Sequence, residues 1–286
     1  MSVIFTDSNC ELSYKTIDEL GVKLIEMPYT LEGEEYYYDD GRDPSFVKIY
    51  DKMRNGAKPI TSALSPQNYI DYFEPVFKTG EDILYIAFSD RLSGTFNYLQ
   101  MALDELKEKY PERKFTRFNT LSISFGGGMQ VLEAVKLKNA GLADEQIVKE
   151  LEKFREKVSV YFYVDTLTYL ARGGRVSGAS ATFGNMLNIK PILTCDNDGR
   201  IVKTQAVMGA KKALLKLADT FMKEAKIDDE YVYYIINADA QADANALEAE
   251  ILKRTNNQVK FEKYNIGPVI TSHCGPGTVG LVYLKK

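Results

Sequence analysis

Short runs of β-branched and aromatic residues alternate along this chain with stretches of helical period, and that alternation restricts the fold more than any other feature. Val3 to Thr6, Val22 to Met27, Ile83 to Phe88 and Phe115 to Phe118 have the length and composition of strands, and amphipathic stretches fill the gaps between them. Helices that connect successive strands leave those strands parallel, because a parallel pair needs a long crossover. The expected class is α/β, with a largely parallel, Rossmann-like sheet in the amino-terminal half. Local punctuation agrees. Asp43-Pro44 supplies an N-cap and a preformed first turn for a helix ending near Gly56, and Ser65-Pro66 does the same for one ending near Gly80. Glu32-Gly33, between Tyr29-Thr30-Leu31 and Tyr36-Tyr37-Tyr38, has the composition of a hairpin turn.

A chain of 286 residues exceeds what one hydrophobic core usually organises, so two packed units are expected. The charged helix Glu145 to Lys157 is followed by a new apolar strand, Val158 to Val164. The boundary is placed there, with residues 1–157 as an N-terminal α/β domain and 158–286 as a C-terminal α/β domain. Ile189 to Cys195, the turn Asn197-Asp198-Gly199, and Ile201 to Val207 read as a hairpin, so the second sheet is expected to be mixed or antiparallel. Ala210 to Lys226 and Ala240 to Thr255 read as amphipathic helices flanking the strand Tyr231 to Asn237.

Charge and cysteine usage narrow the function. Thirty-six basic against forty acidic side chains leave a net charge of −4, which gives no broad attraction for nucleic acid. No apolar run approaches the ~20 residues needed to span a bilayer, and the start of the chain lacks the pattern of a signal peptide. Cys10, Cys195 and Cys274 are odd in number and widely spaced, as free thiols of a reducing compartment are. A cytoplasmic protein without stable membrane insertion is expected. One histidine and scattered cysteines supply no common zinc motif, so metal is not expected.

Four strand ends lead into small polar residues: Thr6-Asp7-Ser8, Thr61-Ser62-Ala63, Ser89 to Thr95, and Asn119 to Gly128. In open α/β sheets ligands bind beyond the carboxyl ends of the strands, where N–H groups and helix N-termini favour an anion. Ser93-Gly94-Thr95 suits such a site, although from spacing alone an N-cap with a tight turn is the favoured account. Gly126-Gly127-Gly128 opens a helix without the lysine of a phosphate loop, which favours helix packing. Arg172-Gly173-Gly174-Arg175 reads as a glycine C-cap with cations at the negative helix end, or as an anion or partner site. Near the carboxyl end, Ile266 to Gly277 gathers glycine, proline, hydroxyls and the sole histidine, His273, into one rigid segment. A small anionic ligand held around His273 is the reading these turns support. No G-x-S-x-G elbow accompanies them, which ranks hydrolysis below binding.

Taken in order, Thr6-Asp7-Ser8, Thr61-Ser62, Ser93-Gly94-Thr95, Asp165-Thr166-Leu167, Arg172 to Arg175, Lys190-Pro191-Ile192-Leu193 and Gly267 to Gly277 resemble the DegV family of bacterial fatty-acid-binding proteins. The resemblance implies two α/β domains, with a lipid carboxylate near their junction and the acyl chain in an apolar tunnel. It also implies that Thr61 and Ser93 hydrogen-bond the carboxylate, with Ser62 and Thr95 adjacent, His273 completing the polar end, and Arg172 supporting that site or contacting a partner. The implied partner is an ATP-dependent fatty acid kinase that converts the presented acid to acyl phosphate, a step of phospholipid metabolism. The chain itself would then be no enzyme and would carry no cofactor beyond its bound fatty acid. Asn119 stands where members usually have aspartate, Leu64 where they have proline, and Met208 where they commonly have arginine, with Lys211 and Lys212 close by. The alternative is an acyl- or phosphoryl-transfer enzyme using Ser93 and His273.

Overall fold

The computed structural model describes residues 2–176, 188–228 and 231–286. The chain forms two compact units, one of residues 1–45 and 59–156, the other of residues 46–58 and 157–286.

In the first unit the chain runs β1 (Ser2–Asp7), α1 (Tyr14–Leu20), β2 (Lys23–Ile25), β3 (Met27–Leu31) and β4 (Glu34–Tyr38). It leaves for α2 (Lys48–Arg54), which belongs to the second unit. It then resumes with β5 (Ile60–Thr61), α3 (Pro66–Lys78), β6 (Asp82–Ala87), α4 (Thr95–Lys109), β7 (Phe115–Asn119), α5 (Phe125–Asn139) and α6 (Asp144–Arg155). β2, β1, β6 and β7 form a parallel sheet in that order, as the strand and helix alternation requires. The Glu32-Gly33 hairpin joins β3 to β4, and β5 pairs with the other edge of β3 to make a small antiparallel sheet. Ser65 caps α3 in a capping box: its hydroxyl accepts from Asn68 N at 3.2 Å while Ser65 N donates to Asn68 Oδ1 at 3.0 Å. Phe73 of that helix is fully buried against Phe5, Tyr85 and Phe115 from three parallel strands.

The second unit continues with β8 (Val158–Tyr163), α7 (Thr168–Gly173), β9 (Ile189–Cys195), β10 (Ile201–Met208), α8 (Ala210–Glu224) and β11 (Val232–Ala238). It closes with α9 (Gln241–Arg254), β12 (Lys260–Asn265), α10 (Pro268–Cys274) and β13 (Thr278–Leu284). Its mixed sheet has the order β10-β9-β8-β13-β11-β12, antiparallel except for the β11–β12 pair. Every residue of β13 is buried, as a central strand must be. Helices α8 and α9 cover the core through Leu217, Phe221, Leu247 and Ile251.

Two details differ from the sequence reading. A single cut at 157 misses residues 46–58, which pack with the second unit. Tyr50 Oη donates to Ile266 O at 2.6 Å, and Arg54 pairs with Asp239 at 2.8 Å, contacts of more than 180 residues' separation that no local pattern encodes. The glycine and proline segment around His273 is also not a plain turn. Pro268 sits at the start of α10, where a missing N–H costs nothing, and Gly275 ends that helix with φ +81°.

Candidate functional site

Within the first unit the polar strand ends are tied to one another. Asp7, closing β1, accepts from Tyr85 Oη at 2.8 Å and from Phe88 N at 3.0 Å, fixing the end of β6 where Ser89 to Thr95 begin. Thr61 lies in β5 opposite Tyr29. The Thr61-Ser62 segment is held to the start of α4 by Thr95, whose Oγ1 accepts from Leu64 N at 3.3 Å and bonds Tyr69 Oη at 2.7 Å. Thr95 is 2% exposed, so its hydroxyl works as the strut between two hydroxyl-bearing turns. Ser93 Oγ accepts from Thr95 N at 3.3 Å, while the N-cap position of α4 belongs to Gly94 and has no side-chain cap. A hydroxyl that accepts from its own turn keeps its proton for donation to an acceptor outside it. Ser93 and Thr61 are partly exposed and Ser62 is exposed. Neither the strut nor its partner Tyr69 is legible as such, because they meet only through tertiary packing.

The triglycine segment proves to be a packing device. A Cβ at Gly128 would stand 2.6 Å from Cys10 O, so only glycine lets α5 approach the 3-10 turn Ser8–Cys10 this closely.

In the second unit three separate motifs meet. Gly174, with φ +67°, ends α7 and donates its N–H to Ala171 O and Leu170 O, which is the glycine C-cap expected of Arg172 to Arg175. Gly173 lies directly under the imidazole, since a Cβ there would be 2.3 Å from His273 Nδ1. Tyr169 packs against Gly275, and the Arg172 guanidinium lies over the Tyr169 ring at 5.3 Å. Gly277 rests on Asp165, which forms an ion pair with Lys190. Glycines 173, 275 and 277 thus let α7, α10 and the Asp165 turn close around His273, a role their sequence positions do not reveal. Thr271 and Ser272 donate their hydroxyls back to Ile266 O and Pro268 O, so they brace α10.

Burial, and then the positive charges of Arg175 and Arg172, push His273 down to about 4. The imidazole is therefore neutral near pH 7, a hydrogen-bond donor and a weak base. Unfolded, this side chain takes up a proton near 6.5, so His273 stabilises the fold above that pH and loses its contribution as pH falls toward 4. Because it is the chain's sole histidine, its NMR resonances need no assignment. We expect their titration midpoint in the folded protein near 4, and a midpoint near 6.5 would remove the basis for a neutral imidazole.

Among the described residues no cluster of three or more metal-ligating side chains occurs, and no helix is long and apolar enough to cross a membrane.

Comparison with known proteins supplies independent information. The family model for DegV, described as an uncharacterised protein of the DegV family, matches residues 1–286. A DegV domain-containing protein of Clostridium perfringens is 33% identical over 282 residues, covering 99% of this chain and 97% of that relative. A solved structure from Thermus thermophilus, described as fatty acid binding of a DegV family protein, is 31% identical with a TM-score of 0.86 and covers 99% of each chain. The structure of DegV from Bacillus subtilis, described as a fatty acid binding protein, is 26% identical with a TM-score of 0.82, again over 99% of both chains.

Proposed function

Since the chain belongs to the DegV family, we propose that it binds a long-chain fatty acid, burying the acyl tail and holding the carboxylate with hydroxyl and imidazole groups. The observation that carries this reading is the full-length likeness to the Thermus thermophilus protein described as binding fatty acid. Thr61, Ser93 and His273 are the proposed head-group residues, with Ser62 beside Thr61, Thr95 as the support of the Thr61 and Ser93 turns, and Arg172 near the imidazole.

Physical chemistry divides the labour between tail and head. Burying methylene groups yields about 0.8 kcal/mol each, so ~15 of them contribute on the order of 12 kcal/mol before ordering costs. The tail supplies most of the affinity. A carboxylate leaving water needs compensating hydrogen bonds, which hydroxyls and a neutral imidazole N–H provide without adding a second charge. The head group supplies orientation.

The proposed role is presentation to an ATP-dependent fatty acid kinase rather than catalysis by the chain itself. A conjugate acid of about 4 makes His273 a poor base for activating Ser93 near neutral pH, which disfavours the transferase alternative. Met208, where an arginine is common in the family, is 64% exposed on β10, with Lys211 and Lys212 in the following helix.

Native mass spectrometry of the purified chain, followed by organic extraction, tests the binding. The expected result is a mass increment that survives gentle desalting and extracts as one long-chain fatty acid per chain. A chain that stays unliganded after incubation with oleic or palmitic acid rules the proposal out.

A further inference from the structure

His273 rides on α10, a helix of seven residues. So short a helix has no stability of its own in water, and the place of the imidazole depends on what holds the two ends of the segment. The carboxyl end is held by Tyr169 against Gly275, by Asp165 against Gly277, and by Gly277 N, which donates to Ala238 O at 2.7 Å. The amino end is Ile266, 1% exposed. Its N–H donates to Asn237 O at 2.7 Å, which ties it to β11. Its carbonyl oxygen accepts twice, from Thr271 Oγ1 at 3.0 Å within the segment and from Tyr50 Oη at 2.6 Å outside it.

Tyr50 reaches Ile266 from 216 residues away in the sequence. It sits on α2, which lies in the chain between β4 and β5 of the first unit yet packs with the second. Its ring is buried, and Phe46, one turn earlier, makes an edge contact with it at 6.5 Å. At the next turn of α2, Arg54 bonds Asp239 through Nε to Oδ2 at 2.8 Å and through a terminal nitrogen to the backbone oxygen at 3.1 Å. One helix therefore grips both the residue that follows β11 and the origin of α10. Thr271 alone would satisfy Ile266 O, so the Tyr50 bond is not needed to bury that carbonyl. What it adds is a fixed position. Thr271 Oγ1 on Ile266 O and Ser272 Oγ on Pro268 O bind α10 to its own start, so the segment moves as one piece.

We propose, on the reading of His273 as a head-group residue, that Tyr50 is a positioning residue for carboxylate binding: its hydroxyl fixes the origin of α10 and thereby the place of the imidazole. At ~1.5 Å of rise per residue His273 lies about 10 Å along the chain from Ile266, so the hydroxyl acts on the imidazole by placing the helix.

A double-mutant cycle tests this. Tyr50→Phe keeps the ring and deletes only the hydroxyl, and Thr271 still serves Ile266 O, so the variant should fold as wild type by circular dichroism. Its affinity for palmitic acid, read by displacement of a fluorescent fatty acid, should fall about three- to tenfold, the loss of one neutral hydrogen bond. In a His273→Ala background the same substitution should change affinity by less than about twofold, since the group it positions is gone. In the ligand-free protein the ring resonances of the sole histidine should move on Tyr50→Phe. Equal losses in both backgrounds, wild-type affinity in Tyr50→Phe, or histidine resonances that stay in place would each overturn the positioning role alone. A His273→Ala chain that binds like wild type would defeat the head-group reading and the positioning role with it.

Discussion

Purified Ser93→Ala/His273→Ala protein is expected to fold normally and to retain almost no fatty acid through desalting. Each substitution removes a proposed donor to a charged oxygen, and such a bond contributes about 1.5–3 kcal/mol. Lost together, two of them weaken binding by roughly 3–6 kcal/mol if their effects add, or about 10²- to 10⁴-fold. The fold should tolerate both changes. Ser93 is partly exposed at the start of α4, and the strut that fixes this turn is the Thr95 hydroxyl, which the variant keeps. His273 stands over Gly173 and is not one of the side chains that build the hydrophobic core of this unit. Fluorescent fatty acid displacement with circular dichroism as a folding control reads out both properties. Wild-type retention in a folded double variant would show that the carboxylate lies elsewhere. Adding a fatty acid kinase and ATP to lipid-loaded wild type then examines presentation separately.

The second large effect concerns stability. Phe221→Ala should cost about 3–5 kcal/mol, the range for truncating a fully buried aromatic ring. Phe221 is 0% exposed on α8, with edge contacts to Tyr233 at 5.2 Å and Tyr283 at 5.3 Å and a tilted contact to Phe261 at 5.9 Å. Those rings come from β11, β13 and β12, so the cavity would open where helix and sheet are joined. The rigid aromatic walls leave little scope for collapse. Urea denaturation measures the loss directly. Met208→Ala, at an exposed position, serves as the control and should change stability by no more than about 0.5 kcal/mol. Comparable midpoints for the two variants would mean that the ring cluster does not hold this unit together.

Much of the local structure was legible because its causes lie within a few residues. Ser65-Pro66 marked a helix start since cap, proline and the Asn68 partner fall within one turn. Asn197 to Gly199 marked the β9–β10 reversal, and Glu32-Gly33 the β3–β4 one, because reversing direction in two or three residues demands left-handed backbone, found at Gly199 with φ +79° and at Glu32 with φ +55°. The helical character of Pro268–Cys274 was obscured for a related reason. Glycine and proline signal turns by composition, yet here they bracket a short helix whose hydroxyls bond its own backbone.

The sequence by itself determined the α/β class, the parallel first sheet, the mixed second sheet and the starting points of the principal helices, since periodicity and capping are local. The ordered set of short motifs, spread over nearly the whole chain, was enough to suggest its family. Tertiary structure alone decided which motifs meet. It set Thr95 between Leu64 and Tyr69, laid His273 on Gly173, and joined residues 46–58 to the second unit. It also decided charge. A histidine held neutral to about pH 4 owes its state to burial and to neighbours from other elements, and no window of residues along the chain contains either cause.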